Sequence, residues 1–100
     1  MKVKTSELAK ALWKKDSLWN DAWDNKSAPS HAARVSSIFR GWFEGAEIPA
    51  IRVGASKYGI GIIDGRHRLI AYLERQDAEI EIIAEEGCEG WIEYYLKQYK

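Results

Sequence analysis

The side chains with the most chemical potential stand together at Asp64-Gly65-Arg66-His67-Arg68. A short apolar run, Ile60-Gly61-Ile62-Ile63, leads into this Asp-Gly pair, and Leu69, Tyr72 and Leu73 follow at helical spacing. The pattern predicts strand, tight turn, helix. A helix beginning at about Arg66 leaves its first-turn amides without intrahelical partners, and they point out of the helix end together with its positive dipole. Gly65 allows a ligand close backbone approach, Asp64 is placed to serve as N-cap, and Arg66 and Arg68 bring guanidinium forks that match phosphate oxygens. Together these residues make an anion site, best suited to phosphate. The same spacing also fits a plain structural corner whose arginines pair with acidic neighbours, and spacing alone does not choose between the two.

The elements on either side must hold that turn in place. Ile48-Pro49-Ala50-Ile51-Arg52-Val53 reads as a strand with its proline at an edge or at its beginning, and the turn-rich Gly54–Gly59 segment folds it back onto Ile60–Ile63 as a hairpin. Gly61 between isoleucines fits a bulge, or else a close approach by backbone or ligand. Lys57 is a further basic residue for the same mouth. The helix from Arg66 runs to about Gln76, and Glu79-Ile80-Glu81-Ile82 alternates as a half-buried strand. Upstream, Thr5 or Ser6 caps a first helix bearing Leu8, Ala11 and Leu12, and Asp16 or Ser17 opens a second helical stretch or a continuation of the first. Ser30 reads as the cap of a third helix with Ala32, Val35, Ile38, Phe39 and Trp42 on one side, ended by Gly45 and with its aromatic end under the sheet. His31, in its first turn, reads as a surface residue. Trp91, Ile92, Tyr95, Leu96 and Tyr99 line a closing C-terminal helix.

The order of these segments, with Ile-Pro-Ala-Ile-Arg-Val from Ile48, Ile-Ile-Asp-Gly-Arg-His-Arg-Leu-Ile-Ala-Tyr from Ile62 and Ile-Glu-Ile-Ile-Ala from Ile80, resembles the ParB/sulfiredoxin-like domain family. In that family a strand leads into a Gly-x-x-Arg type turn that binds the triphosphate of CTP or ATP. The resemblance implies nucleotide or nucleic-acid phosphate held by Gly65, Arg66, His67 and Arg68, with CTP or ATP and Mg²⁺ as the ligands to expect. Asp64 would cap the helix or help place the metal ion, and His67 would bond phosphate or act as an acid or base, which makes these two the candidate catalytic residues. An NTPase or a ParB-like nuclease activity is the enzymatic form of this expectation. Sulfiredoxin chemistry is not expected, because the catalytic cysteine that precedes the family's His-Arg pair is replaced by Arg66. ParB proteins continue into DNA-binding and dimerisation domains that these 100 residues do not include, so partition-complex assembly is not expected of this chain alone.

Trp13, Trp19 and Trp23 crowd into a short N-terminal segment. Core filling is one use for such indoles, and a surface for a protein partner or a second copy of the chain is another. Stacking on single-stranded bases beside Lys10, Lys14 and Lys15 is a third. A small phage- or plasmid-type accessory protein with a degenerate pocket is therefore the alternative function.

Composition sets the outer bounds. With 46% hydrophobic and 30% charged residues, the chain is expected to fold as one soluble α+β domain over residues 1–100. Its parts are a helical N-terminal region at about 5–45, a strand-turn-helix core at about 46–86 and a helix at about 90–99. The sequence shows neither a membrane-length apolar run nor the apolar core of a signal peptide, which points to the cytoplasm and away from a membrane partner. One cysteine, Cys88, and two histidines cannot make a zinc site, and the glutamates around Cys88 disfavour its thiolate. Net charge is zero but uneven: residues 1–40 hold eight Lys/Arg against four Asp/Glu, whereas 77–90 are acidic without a basic residue. A neutral domain is poorly suited to tight nonspecific duplex binding.

Overall fold

Alternation decides the sheet. Ile80 and Ile82 are buried while Glu79 and Glu81 face solvent, and Ile51 and Val53 are buried on either side of exposed Arg52. The computed structural model describes residues 1–13 and 15–100; Lys14, one of the lysines considered for base stacking, lies outside the described residues. The strands are β1 (Lys2–Lys4), β2 (Ile51–Ser56), β3 (Gly59–Asp64) and β4 (Glu79–Ala84), and the helices are α1 (Thr5–Leu12), α2 (Ser17–Asp24), α3 (Pro29–Phe43), α4 (Arg66–Glu74) and α5 (Glu89–Lys97). The expected α+β domain is what forms.

The mixed sheet has the order β1-β4-β2-β3, with β4 and β2 parallel and the two outer pairs antiparallel. Its inner face, with Val3, Ile51, Val53, Ile60, Ile80 and Ile82, joins one core with Leu8 and Leu12 of α1, Leu69 and Ile70 of α4, and Ile92 and Leu96 of α5. Tyr95 closes the α5 contact by donating its hydroxyl to the Ser56 carbonyl at 2.6 Å. No helix among the described residues is long and apolar enough to cross a membrane.

Several local expectations need correction. Ahead of the expected first helix the structure adds β1, whose Val3 is buried opposite Ile80. α1 has no side-chain cap, because the strand runs straight into it and the Thr5 amide donates to the Ala78 carbonyl. α3 begins at Pro29, which needs no amide partner at the first helical position, so Ser30 is not its cap. Its aromatic end rests on α4 and not under the sheet: Trp42 meets Tyr72 with ring centroids 5.2 Å apart, and the Arg75 guanidinium covers the indole at 3.8 Å. The β2–β3 register shifts at Arg52/Val53, whereas Gly61 pairs regularly with Gly54.

Gly61 instead marks a close approach. The Asp16 carboxylate caps α2 through Oδ1, which accepts from the Leu18 and Trp19 amides, and its Oδ2 accepts from the Ile62 amide on the free edge of β3 at 2.8 Å. A Cβ at Gly61 would stand 3.4 Å from that same Oδ2. One carboxylate thus starts a helix and fastens it to the sheet edge. Asp16→Ala is expected to lower unfolding free energy by about 2–3 kcal/mol in urea melts, since it removes a cap and leaves the Ile62 amide without its acceptor. Asp16→Asn, which keeps a capping oxygen, should cost clearly less.

Candidate functional site

The corner after β3 is held by Arg68. Its Nη1 donates to the carbonyls of Pro49 and Ala50, both at 2.9 Å, and its Nη2 meets Asp64 Oδ2 at 2.9 Å. Gly65 takes the left-handed conformation, φ 111°, that lets the strand turn into α4. A Cβ there would fall 3.1 Å from Ile51 Cγ1 and 3.2 Å from the Arg68 guanidinium carbon. The space left by the glycine is thus filled by the protein's own side chains. Asp64 does not cap α4, because its carboxylate is drawn one turn along to Arg68 and the N-cap residue is Gly65.

Beside this corner lies an open cleft of about 450 Å³. Ile38 of α3, Ile48 and Ile62 form its apolar wall, and Arg34, Ser37, Asp64, Arg66, His67 and Arg68 bring polar groups to it. The two sequence-singled arginines differ. Arg68 is spent on the corner, whereas Arg66 makes no hydrogen bond or ion pair with any described residue and buries its Nε without an acceptor. Arg34, one turn along α3, is likewise unpaired among the described residues and reaches the same cleft. Asp16, the cleft's other carboxylate, is occupied by three amides.

His67 is 8% exposed, and its Nε2 lies 2.8 Å from Nδ1 of His31. On the far side, His31 Nε2 stands 3.4 Å from Asp21 Oδ2. Asp21, His31 and His67 therefore form a chain from the surface of α2 through α3 to the start of α4. Burial, and then unfavourable electrostatic interaction with Arg66, His31 and Arg34, push the His67 imidazole down from 6.5 to about 4, so it is neutral at physiological pH. Sequence reading took His31 for a surface residue and gave Arg34 no role. Both sit on the α3 face turned toward α4, and only the helix crossing brings them to His67.

The remaining named residues lie elsewhere. Lys57 stands over Tyr58 at the tip of the β2–β3 hairpin, the end opposite Asp64. Trp19 is 2% exposed and belongs to the core, stacked on Trp23 with centroids 5.7 Å apart. Trp13 and Trp23 are more open, and with Trp19, Ala9, Leu73 and Tyr99 they line a separate apolar groove edged by Lys10 and Lys15. Among the described residues no three His, Cys, Asp or Glu side chains gather as a metal-binding group.

Comparison with protein-family models, with curated proteins and with solved structures gives no match. The ParB/sulfiredoxin-like resemblance thus rests on the quoted residues alone.

The low pKa of His67 makes stability depend on pH. Between 6.5 and about 4 the unfolded chain binds a proton that the native chain refuses, so native stability rises with pH across that window and is lost as pH falls through it. The loss between about pH 7 and about pH 4 should approach roughly 3 kcal/mol at most. Urea melts of the wild type should show this slope, and His67→Gln should remove it; an equal slope in both would assign the acid sensitivity to other groups.

Proposed function

We propose that this chain is a phosphate-binding module of ParB/sulfiredoxin-like type, holding the phosphate of a nucleotide or of a nucleic acid beside the Gly65–Arg68 turn. The observation that carries this reading is the unbalanced charge of the cleft. Arg34 and Arg66 both reach it, and neither has an acceptor among the described residues. Guanidinium N–H groups without a protein acceptor form charge-assisted hydrogen bonds to phosphate oxygens, the kind of contact that Arg34 and Arg66 would offer a ligand in the cleft. The volume of about 450 Å³ lies within the range of small-molecule sites.

The roles within the turn divide. Arg66 and Arg34 would contact phosphate oxygens, and His67 would add a neutral imidazole to the same lining. Arg68 and Gly65 would shape the site, and Asp64 would hold Arg68. CTP or ATP is the ligand to test first, with Mg²⁺ supplied on the nucleotide. Hydrolysis, by an NTPase or nuclease route, has weaker support: two-metal chemistry needs convergent carboxylates, and Asp64 and Asp16 are both engaged within the protein.

A second reading, an accessory protein acting through a protein partner, is favoured by the apolar groove at Trp13 and Trp23. Trp13→Ala is its clean probe, because Trp19→Ala would test the core.

Nucleotide binding to the native state raises apparent stability by mass action. Thermal melts with CTP, ATP and GTP at millimolar Mg²⁺-nucleotide are expected to shift the wild-type midpoint upward. Arg66→Ala and Arg34→Ala should lose the shift while melting near the wild type without ligand. Arg68→Ala should melt lower with or without nucleotide, since it unties two carbonyls and Asp64. No shift with any nucleotide, and no heat in calorimetry, would end the nucleotide reading.

A further inference from the structure

We propose that the apolar groove at Trp13 and Trp23 is the docking site for an acidic amphipathic helix of a partner protein. Such a helix is the partner that the accessory-protein reading calls for, so the inference rests on that reading and not on the phosphate cleft.

The groove, of about 630 Å³, takes its apolar lining from Ala9 of α1, Trp13 just beyond it, Trp19 and Trp23 of α2, Leu73 of α4 and Tyr99. Trp13 is 41% exposed. An open indole set among other apolar side chains is the composition of an interface centre. The charged residues of the lining are Lys10 and Lys15, with no Asp or Glu among the described lining residues. Neither lysine forms an ion pair with a described residue. Lys15 instead stands over the Tyr95 ring at 5.9 Å, and Lys26 adds a third ammonium beside the groove, 3.4 Å over the Trp23 ring. An apolar strip accompanied by one sign of charge selects its partner: an apolar stripe flanked by carboxylates matches it in both respects.

Other occupants fit less well. A single nucleic-acid strand needs open ring faces for its bases. Trp19 is 2% exposed, and Trp23 is stacked on it and covered by Lys26, so Trp13 is the one of the three lining indoles that stands open. One platform gives a strand no track of stacked bases. A second copy, in a two-fold contact centred on the groove, would bring the lysines against their own counterparts. The chain's acidic run is no ready counterpart either, since Asp77, Glu81 and Glu85 already pair with Arg75, the Met1 ammonium and Arg52.

Length points to a helix of the partner. α1 and α2, which both contribute to the lining, have eight residues each. At 1.5 Å per residue that is about 12 Å, room for about two turns of a docked helix and for its side chains at i, i+3, i+4 and i+7. Carboxylates beside that stripe would meet Lys10, Lys15 and Lys26.

Two synthetic helical peptides, titrated into the full chain, test this. Both carry the same Leu and Phe stripe at i, i+3, i+4 and i+7, flanked by Glu in one and by Lys in the other. By fluorescence anisotropy of the labelled peptide, the Glu form should bind at least about tenfold more tightly than the Lys form at about 0.02 M salt, with the gap narrowing at about 0.15 M. The Trp13 indole N–H resonance should shift as the Glu peptide is added. Trp13→Ala should weaken binding at least about tenfold. Lys10→Glu combined with Lys15→Glu, which leaves the apolar lining in place, should reverse the preference. All three side chains are exposed, so these variants should melt near the wild type. Equal affinity for the two peptides overturns the acidic assignment and leaves the accessory-protein reading standing. Displacement of the Glu peptide by oligothymidine, or a dimer in sedimentation that Trp13→Ala dissolves, overturns the assignment in favour of a nucleic acid or a second copy. Binding of neither peptide overturns both this inference and the accessory-protein reading of the groove, and leaves the phosphate cleft untouched.

Discussion

One guanidinium fixes the geometry on which the rest depends. Arg68 reaches back from the first turn of α4 to the carbonyls of Pro49 and Ala50 and to the carboxylate of Asp64. Those contacts fasten the segment before β2, the end of β3 and the start of α4 to one another. Charge-assisted bonds from a planar fork are directional, so the corner is set in angle as well as position. Gly65 makes it attainable, because its φ of 111° strains any side chain, and a Cβ there would crowd Ile51 at 3.1 Å and the Arg68 guanidinium at 3.2 Å.

With Arg68 spent in this way, the neighbouring Arg66 is left to face the cleft. α3 then decides the character of that cleft. Packed on α4, it brings Arg34 to the same cleft and His31 against His67. The outcome is a pocket in which positive charge exceeds its internal compensation, inside a chain whose total charge is zero. Local imbalance within global neutrality suits a small anionic guest better than an extended polyanion.

The sequence made some of this legible. Strict alternation at Glu79–Ile82 and the stripe through Val35 and Trp42 each follow from burial on one face, and burial is what periodicity reports. The strand-turn-helix at Asp64–Arg68 was readable because glycine and an apolar run punctuate it. β1 escaped notice because three residues carry no period, and its strand character comes from pairing with β4 far along the chain. The assignment of roles within the turn was also hidden. Nothing local tells that Arg68 would find two carbonyls about twenty residues upstream while Arg66 would find no partner among the described residues. Asp16 looked like an ordinary helix cap, and its second oxygen's grip on Ile62 exists only in the folded molecule. His31 was lost for the same reason: a histidine in the first turn of a helix resembles a surface residue until another helix supplies its partner.

The central claim is a division of labour between two arginines two positions apart, one structural and one waiting for an anion. Nitrogen-15 NMR of the arginine Nε–H groups during titration with a nucleoside triphosphate examines it directly. The account predicts that the Arg66 Nε–H resonance shifts as ligand is added, while that of Arg68, already fixed in the corner, stays in place. Equal shifts at both positions, or none at Arg66 with ligand in excess, would contradict it.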